Sequence, residues 1–284
     1  MIAITGAGGQ LGRLVVKHLL EKVPAHEIVA TVRDLEKADD LRRLGVQLRL
    51  ADYDRPDTLR AAFAGVEKLL LVSAVVPGQR LRQHQAVIDA ARDTGVRLVA
   101  YTSLLRADSA TLMLADEHRR TEQYLERSGL DFVLLRNGWY LENSTAGLAG
   151  AVSQGALIGS SGQGRLASAS RDDYAAAAAA VLTEAGHGGK TYELVGDHAF
   201  SMSDLAAELS RQAGRSVAYL DLPPAEFKAA LLGIGLPEMI VDVVVDASVK
   251  SAAGELDGSS QDLTRLIGRP TTTLAEAVRQ ALRR

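Results

Sequence analysis

The sequence predicts an α/β fold, a doubly wound parallel sheet with a smaller C-terminal α/β lobe, on three observations. Short apolar, β-rich runs alternate with longer stretches of helical period through residues 1–140. Several of the runs are continuous apolar stretches, as strands covered on both faces should be. Gly45, Gly65, Gly95 and Gly129 each separate a helical stretch from the next run, where a left-handed helix end favours glycine. Strand alternating with helix implies right-handed crossovers that put helices on both faces of one sheet.

In chain order, Met1–Thr5 reads as the first strand and Leu11–Leu20 as the first helix, joined by a glycine-rich turn. Strands at Glu27–Val32 and Val46–Ala51 flank a helix at Ala38–Leu44. Pro56–Phe63 is the next helix, begun at Asp54-Arg55-Pro56-Asp57 because proline is favoured at the first helical position. Strands at Lys68–Val72, Leu98–Thr102 and Asp131–Arg136 follow, with helices at Leu81–Thr94 and Asp116–Ser128 between them. After Arg136 the regularity weakens. Gly155–Gly164 reads as loop, Asp173–Leu182 as an alanine helix, Thr191–Leu194 as a strand and Met202–Gln212 as an amphipathic helix begun by Ser201 or Ser203. Pro223–Val249 reads as one or two helices and Leu274–Leu282 as a terminal helix. The expected division is a core over residues 1–140 and a lobe over residues 141–284, with returns to the core, so that a cleft forms at the strand ends.

Composition narrows the chemistry. The 284 residues are 47% hydrophobic but 4% aromatic, with 24% charged residues, a formal net charge of −3 and no cysteine. A chain this apolar buries a sizeable core, which excludes disorder along its length. Zero cysteine removes disulfide scaffolds, thiolate metal sites, iron–sulfur ligation and any thiol nucleophile, and fits a reducing compartment. The near-neutral balance gives no pull toward nucleic acid or anionic lipid, so small-molecule partners are expected. No apolar run approaches the ~18 residues of a membrane span, and Met1-Ile2-Ala3-Ile4 leads directly into structure, so a cytoplasmic protein with no membrane partner is expected. Histidines at 18, 26, 84, 187 and 198 are scattered without ligand spacing, and no metal site is expected. Ser73 and Ser103 lack a Gly-x-Ser-x-Gly setting, which disfavours hydrolysis. The sequence leaves the oligomeric state open.

The first turn carries the strongest local signal. Ile2-Ala-Ile-Thr-Gly6-Ala-Gly8-Gly9-Gln10-Leu11-Gly12 places glycines 6, 9 and 12 directly after a strand and at the opening of a helix. Gly6 permits the tight turn, Gly9 lets the backbone approach a pyrophosphate and Gly12 lets helix and strand pack closely, the Rossmann fingerprint of a dinucleotide site. Gly8, Gly9, Gln10 and Leu11 then offer unpaired N–H groups at a helix N-terminus to the phosphates. The second strand ends at Val32 and is followed by Arg33, which suits the 2′-phosphate of NADP; Asp34 beside it keeps NAD open. Ser73, after the fourth strand, lies where this fold predicts ribose contacts, as does Asp52-Tyr53 after the third.

Three stretches carry a family resemblance: Gly6-x-x-Gly9-x-x-Gly12, Tyr101-Thr-Ser-Leu-Leu-Arg106-Ala-Asp108, and Leu134-Leu-Arg136-Asn137-Gly138-Trp139-Tyr140-Leu-Glu142-Asn143. With the ending Leu266-Ile-Gly-Arg-Pro270-Thr-Thr, they resemble the atypical short-chain dehydrogenase/reductase group along the whole chain. Within it, the chain is similar to type 2 NAD(P)H:quinone oxidoreductases, with triphenylmethane-dye reductases and NmrA-like proteins close by. The resemblance implies that Gly6 to Leu11, Arg33, Ser73 and the stretch from Asn137 through Gly138 to Asn143 line a cleft for NADP and substrate. It implies no flavin.

The chain departs from ordinary short-chain dehydrogenases where their Tyr-x-x-x-Lys pair should fall. The aligned stretch reads Leu114-Ala-Asp-Glu-His118, so Leu114 replaces the tyrosine and His118 the lysine. Without that acid, alcohol–ketone chemistry is disfavoured, whereas a conjugated acceptor needs little acid help. The expected reaction is direct hydride transfer from NADPH to a flat acceptor, foremost a quinone; dyes, enones and imines are alternative substrates. A dinucleotide-binding redox sensor of the NmrA kind, without turnover, is the alternative class. His118 is the candidate proton donor, its other role being membership of an ion-pair network with Asp116, Glu117 and Glu122. Trp139 and Tyr140, two of very few aromatics, stand together where a doubly wound sheet puts its ligand cleft and are candidate substrate contacts. Asn137 and Asn143 are candidates to bond ribose, carboxamide or a quinone oxygen, or to satisfy a turn. Arg171, at a helix start before Asp172 and Asp173, either reaches the cleft or serves the cap.

Overall fold

A computed structural model describes residues 1–283. The N-terminal half runs β1 (Ile2–Ile4), α1 (Gln10–Leu20), β2 (Ile28–Val32), α2 (Asp39–Arg43), β3 (Gln47–Leu50), α3 (Pro56–Phe63), β4 (Lys68–Leu71), α4 (Arg80–Asp93), β5 (Leu98–Leu104), α5 (Ala115–Glu126) and β6 (Asp131–Asn137). It continues through α6 (Leu141–Thr145), α7 (Leu148–Gln154), β7 (Ala156–Gly159), β8 (Arg165–Leu166), α8 (Arg171–Thr183) and β9 (Thr191–Leu194). The remainder is β10 (Phe200–Ser201), α9 (Met202–Ala213), β11 (Ala218–Asp221), α10 (Pro224–Gly233), α11 (Glu238–Ala252), α12 (Asp262–Ile267) and α13 (Leu274–Leu282).

Seven strands form the central sheet in the order β3-β2-β1-β4-β5-β6-β9, each neighbouring pair parallel. The strand order reverses beside β1, and that switch point opens a crevice beyond the carboxyl ends of the strands. Strand side chains alternate between two buried layers. Ile2 and Ile4 of β1 and Val133 and Leu135 of β6 pack with α1 and α8, while Ala3, Leu134 and Tyr101 of β5 pack with α3, α4 and α5. Each large side chain buried in this way contributes about 1.5–3 kcal/mol.

The alanine run in α8 now has a physical reason. Ala175, Ala177, Ala178 and Ala179 are fully buried between α1 and the sheet, where only small side chains let the helices approach. A capping box of Ser170 and Asp173 starts α8; Ser201 with Asp204 starts α9, and Thr273 with Glu276 starts α13.

After β6 the chain leaves the sheet and then returns to it, because β9 pairs with β6 and α8 and α12 cover the same face. The stretch read as loop over 155–164 differs from expectation: it contains β7, which pairs in parallel with β11 some sixty residues later. The stretch 223–249 resolves into two helices, broken where Gly235 has φ +83° and Pro237 precedes α11. A third apolar cluster, including Leu148, Phe200, Leu205, Leu209 and Val278, holds the lobe together.

Candidate active site at the carboxyl ends of the strands

The glycine turn is built as its spacing demands. Gly6 takes φ +58°, and Gly9 donates its N–H to the Gly6 carbonyl at 2.9 Å. A Cβ at Gly12 would lie 2.5 Å from the Gly6 carbonyl oxygen and 2.7 Å from Ala7 Cα, so only glycine lets α1 sit this close to the turn. Gly9 begins α1 with no side-chain cap, which leaves the first helical N–H groups, starting at Gln10 and Leu11, for an outside acceptor. Gly8 and Gln10 are exposed, and Arg13 fixes the turn by donating to the Gly8 carbonyl at 2.6 Å while pairing with Asp40.

Arg33 is exposed at the end of β2 and enters no ion pair among the described residues. Its neighbour Asp34 is occupied. Its carboxylate accepts from the Glu36 N–H at 3.0 Å and meets Lys37 Nζ at 3.2 Å, and the bond to Lys37 holds it below the usual carboxylate range.

Tyr53 ties the ends of β1 and β4 together, its hydroxyl donating to Thr5 Oγ1 at 2.6 Å and lying 2.9 Å from the Val72 carbonyl. The next residues are pinned from behind. Ser73 N–H donates to Thr102 Oγ1 at 2.9 Å, Ala74 N–H to His84 Nε2 at 2.8 Å, and Arg80 Nε to the Ala74 carbonyl at 2.9 Å. Burial, with the Arg80 charge adding to it, pushes His84 down to about 3, so its neutral ring accepts that N–H. Val75, beside this anchored residue, is 79% exposed.

His118 lies on the α4–α5 side of the sheet, opposite the side that carries Asn137 and Tyr140. It is 5% exposed, and its Nδ1 lies 2.6 Å from the hydroxyl of Tyr101, which faces the α4–α5 layer. Burial first, then the charge of Arg80, lowers its pKa well below the ordinary value, so the ring is neutral at physiological pH. Asn137 lies two residues beyond Leu135 on β6, on the α8 side of the sheet. Leu114 is half-buried at the start of α5.

The motif Arg136 to Asn143 divides its labour. Arg136 is structural: it bonds Glu122 through Nε at 3.0 Å and Nη2 at 2.8 Å, and through Nη1 reaches Asp108 at 2.9 Å and Glu193 at 2.8 Å. Burial disfavours the guanidinium charge, but the bonds to Glu122 and Glu193 outweigh it and raise the Arg136 pKa. Asn137 Nδ2 donates to the Tyr140 hydroxyl at 3.2 Å, while its Oδ1 is buried with no partner among the described residues. Gly138 is closely packed, since a Cβ there would come within 3.1 Å of both the Leu194 carbonyl and the Tyr174 hydroxyl. Trp139 turns toward the lobe cluster, whereas Tyr140 packs toward the α1–α8 layer, its ring 5.0 Å from that of Tyr174.

Arg171 completes this corner. Its guanidinium lies 5.1 Å from the Tyr140 ring centroid and donates to Asn143 Oδ1 at 2.9 Å, while its backbone N–H donates to the Glu142 carboxylate at 3.0 Å. The bridge between Tyr140 and Ala169 brings the two segments together. The sequence alone leaves the place of Arg171 open between cleft and cap, and no local signal in it points to Tyr174, Arg80 or His84. Among the described residues there is no cluster of three or more His, Cys, Asp or Glu able to hold a metal ion, and no helix long and apolar enough to cross a membrane.

The comparisons with known proteins agree with this geometry. A family model for NAD(P)H-binding proteins matches residues 6–185. Quinone oxidoreductase 2 of Escherichia coli is 52% identical over 278 residues, covering 98% of this chain and 97% of its own. Its structure complexed with NADPH superposes with a TM-score of 0.97 at 51% identity, over 99% of this chain and 100% of that one. The Citrobacter sp. triphenylmethane reductase complexed with NADP(H) gives a TM-score of 0.95 at 40% identity, over 99% of this chain and 100% of that one. The NAD(P)H azoreductase of Xenophilus azovorans is 31% identical over 97% of this chain and 96% of its own. With a matched family model, full-length relatives and a shared seven-stranded sheet, the chain belongs to the NAD(P)H-binding oxidoreductases of the NmrA-like, atypical short-chain dehydrogenase/reductase group.

Proposed function

We propose that this protein is an NADPH-dependent reductase of flat conjugated acceptors, quinones foremost, acting without flavin or metal. One observation carries the reading: the residues that would receive NADPH are present and unengaged. The uncapped start of α1 offers N–H groups for the pyrophosphate from Gly8, Gln10 and Leu11, with Gly9 keeping the backbone open to its approach. Arg33 is free for a 2′-phosphate while Asp34, the residue an NAD site would use, is bound to Lys37. The unpartnered Oδ1 of Asn137 suits an amide or hydroxyl donor on a ligand in the cleft, with Ser73 and Asn143 at its margins. When bound, NADPH supplies a hydride; the chain's own residues hold the cofactor and orient the acceptor against it, an effect that reaches ~7–11 kcal/mol in favourable cases.

Quinones are favoured over simple ketones because Leu114 carries no acid and His118 is neutral and buried, so no donor stands at the usual position. The substrates named for the relatives, quinones, azo compounds and triphenylmethane dyes, share flat conjugation. In this reading residues 1–140 hold the cofactor and residues 141–284 supply the acceptor side, with Tyr140 nearer the acceptor than Trp139. A cytoplasmic setting accords with a cysteine-free chain and a soluble reductant. The test is steady-state oxidation of NADPH by dialysed protein with quinones, both dye classes, enones and imines. Turnover with quinones supports the reading. Tight NADPH binding without oxidation by any acceptor overturns it in favour of a redox sensor.

A further inference from the structure

The missing Tyr-x-x-x-Lys pair leaves one proton unaccounted for. Hydride addition to a quinone carries two electrons and one proton's worth of hydrogen, so the product is a hydroquinone monoanion that must acquire one more proton. A cationic triphenylmethane dye differs, because hydride addition to its central carbon gives a neutral product directly. The corner built by β6, α6 and the start of α8 holds a group suited to supply that proton.

Resting on the reductase reading above, we propose that Tyr140 is the proton donor for quinone reduction, with Asn137 and Arg171 supporting the phenolate it leaves behind. Four observations converge. The Tyr140 hydroxyl accepts the Asn137 Nδ2–H at 3.2 Å, which orients it, and donates its own proton to no group among the described residues. Its side chain is half-buried rather than enclosed, at the carboxyl end of β6 where the crevice opens. The Arg171 guanidinium, 5.1 Å from the ring centroid, is held in place by its bond to Asn143 Oδ1 at 2.9 Å and by an ion pair with Glu142 at 3.7 Å. Asn137 retains a buried, unpartnered Oδ1 within the same constellation.

The step balances. The Tyr140 O–H bond breaks, its proton bonds to the anionic quinol oxygen, and the electron pair stays on the Tyr140 oxygen. That phenolate is held by Asn137 Nδ2 and the Arg171 charge until its oxygen takes a proton from solvent and the O–H bond re-forms. A phenol and a quinol are hydroxyls on aromatic rings with similar acidity in water, so the support of the phenolate by Asn137 and Arg171 is what offsets the cost of burial. Burial raises the Tyr140 pKa, with Asn137 and Arg171 opposing, which keeps the hydroxyl protonated through the physiological range. Tyr140 therefore protonates an oxygen that is already anionic and stabilised by conjugation, a task distinct from the absent tyrosine's protonation of a forming alkoxide.

The experiment compares Tyr140→Phe with the unmodified protein on two acceptors, a 1,4-naphthoquinone and a cationic triphenylmethane dye, with solvent isotope effects measured on the quinone. Trp139, the single tryptophan, reports NADPH binding by fluorescence independently of turnover. The expected result is a fall in quinone kcat of about 100-fold, the usual worth of a positioned general acid, with the solvent isotope effect reduced toward unity and NADPH affinity within about twofold. The quinone-to-dye rate ratio should fall by a comparable factor, and Arg171→Lys should retain more quinone kcat than Arg171→Met. An unchanged quinone kcat and isotope effect, or equal losses on both acceptors, would overturn the proton-donor role. Absence of turnover with every acceptor in the unmodified protein would instead defeat the reductase reading itself, an outcome separable from the first.

Discussion

Replacing Arg33 with serine tests cofactor choice at a single side chain. Arg33 is exposed and engages no ion pair among the described residues, so the substitution breaks nothing that holds the fold. Its guanidinium is the free cation at the end of β2, since the Asp34 carboxylate is engaged by Lys37 and the Glu36 N–H. A charged hydrogen bond contributes about 1.5–3 kcal/mol, and solvent exposure argues for the lower end. About 1.5 kcal/mol is about tenfold in affinity. NADPH binding should therefore weaken about tenfold in Arg33→Ser while NADH binding changes little, and the preference should shrink as salt rises. Titration of Trp139 fluorescence with each dinucleotide, at low and high salt, measures both constants. An unchanged NADPH-to-NADH ratio would refute the reasoning and return the site to Asp34.

Other perturbations bear on the supporting structure. Arg136→Met leaves Glu122, 3% exposed, without its bidentate partner, and should cost about 3–5 kcal/mol in chemical denaturation; a loss under about 1 kcal/mol would show that the network is dispensable. The pair of His18 and Asp172, bonded at 2.9 Å, should make stability depend on pH. The His18 pKa is raised by that bond, so its contribution is complete below about 6.5 and is lost as pH rises through the raised value; the Asp172 pKa is lowered, so its contribution is lost as pH falls below about 4. Asp172→Asn should then lower the unfolding free energy more at mildly acid than at alkaline pH, by about 1 kcal/mol or less given its partial exposure, and an equal effect at both would contradict the linkage. Gly12→Ala forces a Cβ into the Gly6 carbonyl and should lower stability by about 1–3 kcal/mol together with NADPH affinity; normal stability and binding would show that α1 can move away from the turn.

The legible parts of the fold were those written locally. Pro56–Phe63 matched α3 residue for residue because Pro56 starts it and Gly65 follows it, and Leu274–Leu282 matched α13 behind its Thr273 cap. The pairing of β7 with β11 was not legible, because two short strands of mixed polarity meet across some sixty residues with no turn between them. At the site, the glycine turn was legible because each glycine answers a contact within a few residues. The corner at Tyr140 was only half so. Asn137 and Tyr140 are neighbours in sequence, but Tyr174 and Arg171 reach them through a bridge across about thirty residues. His118 shows the complementary difficulty. Its helical position and acidic neighbours are equally compatible with a catalytic or a surface residue, and only the packing of Tyr101 against α5 reveals that it lies in the interior. Arg136 belongs to the motif that signals the family, yet its partners Glu122 and Glu193 come from α5 and β9, so its structural role depends on the assembled sheet.

The central claim, direct hydride transfer from bound NADPH to a conjugated acceptor, is tested most directly by a single anaerobic turnover. Dialysed, flavin-free protein is mixed with NADPH deuterated at the transferred position and with a 1,4-naphthoquinone, and both reactants are followed together. NADPH should be lost in step with quinol formation, one for one, with a primary isotope effect and no need for added flavin. NADPH that stays bound and reduced before every acceptor, or turnover that begins only when flavin is supplied, would contradict it.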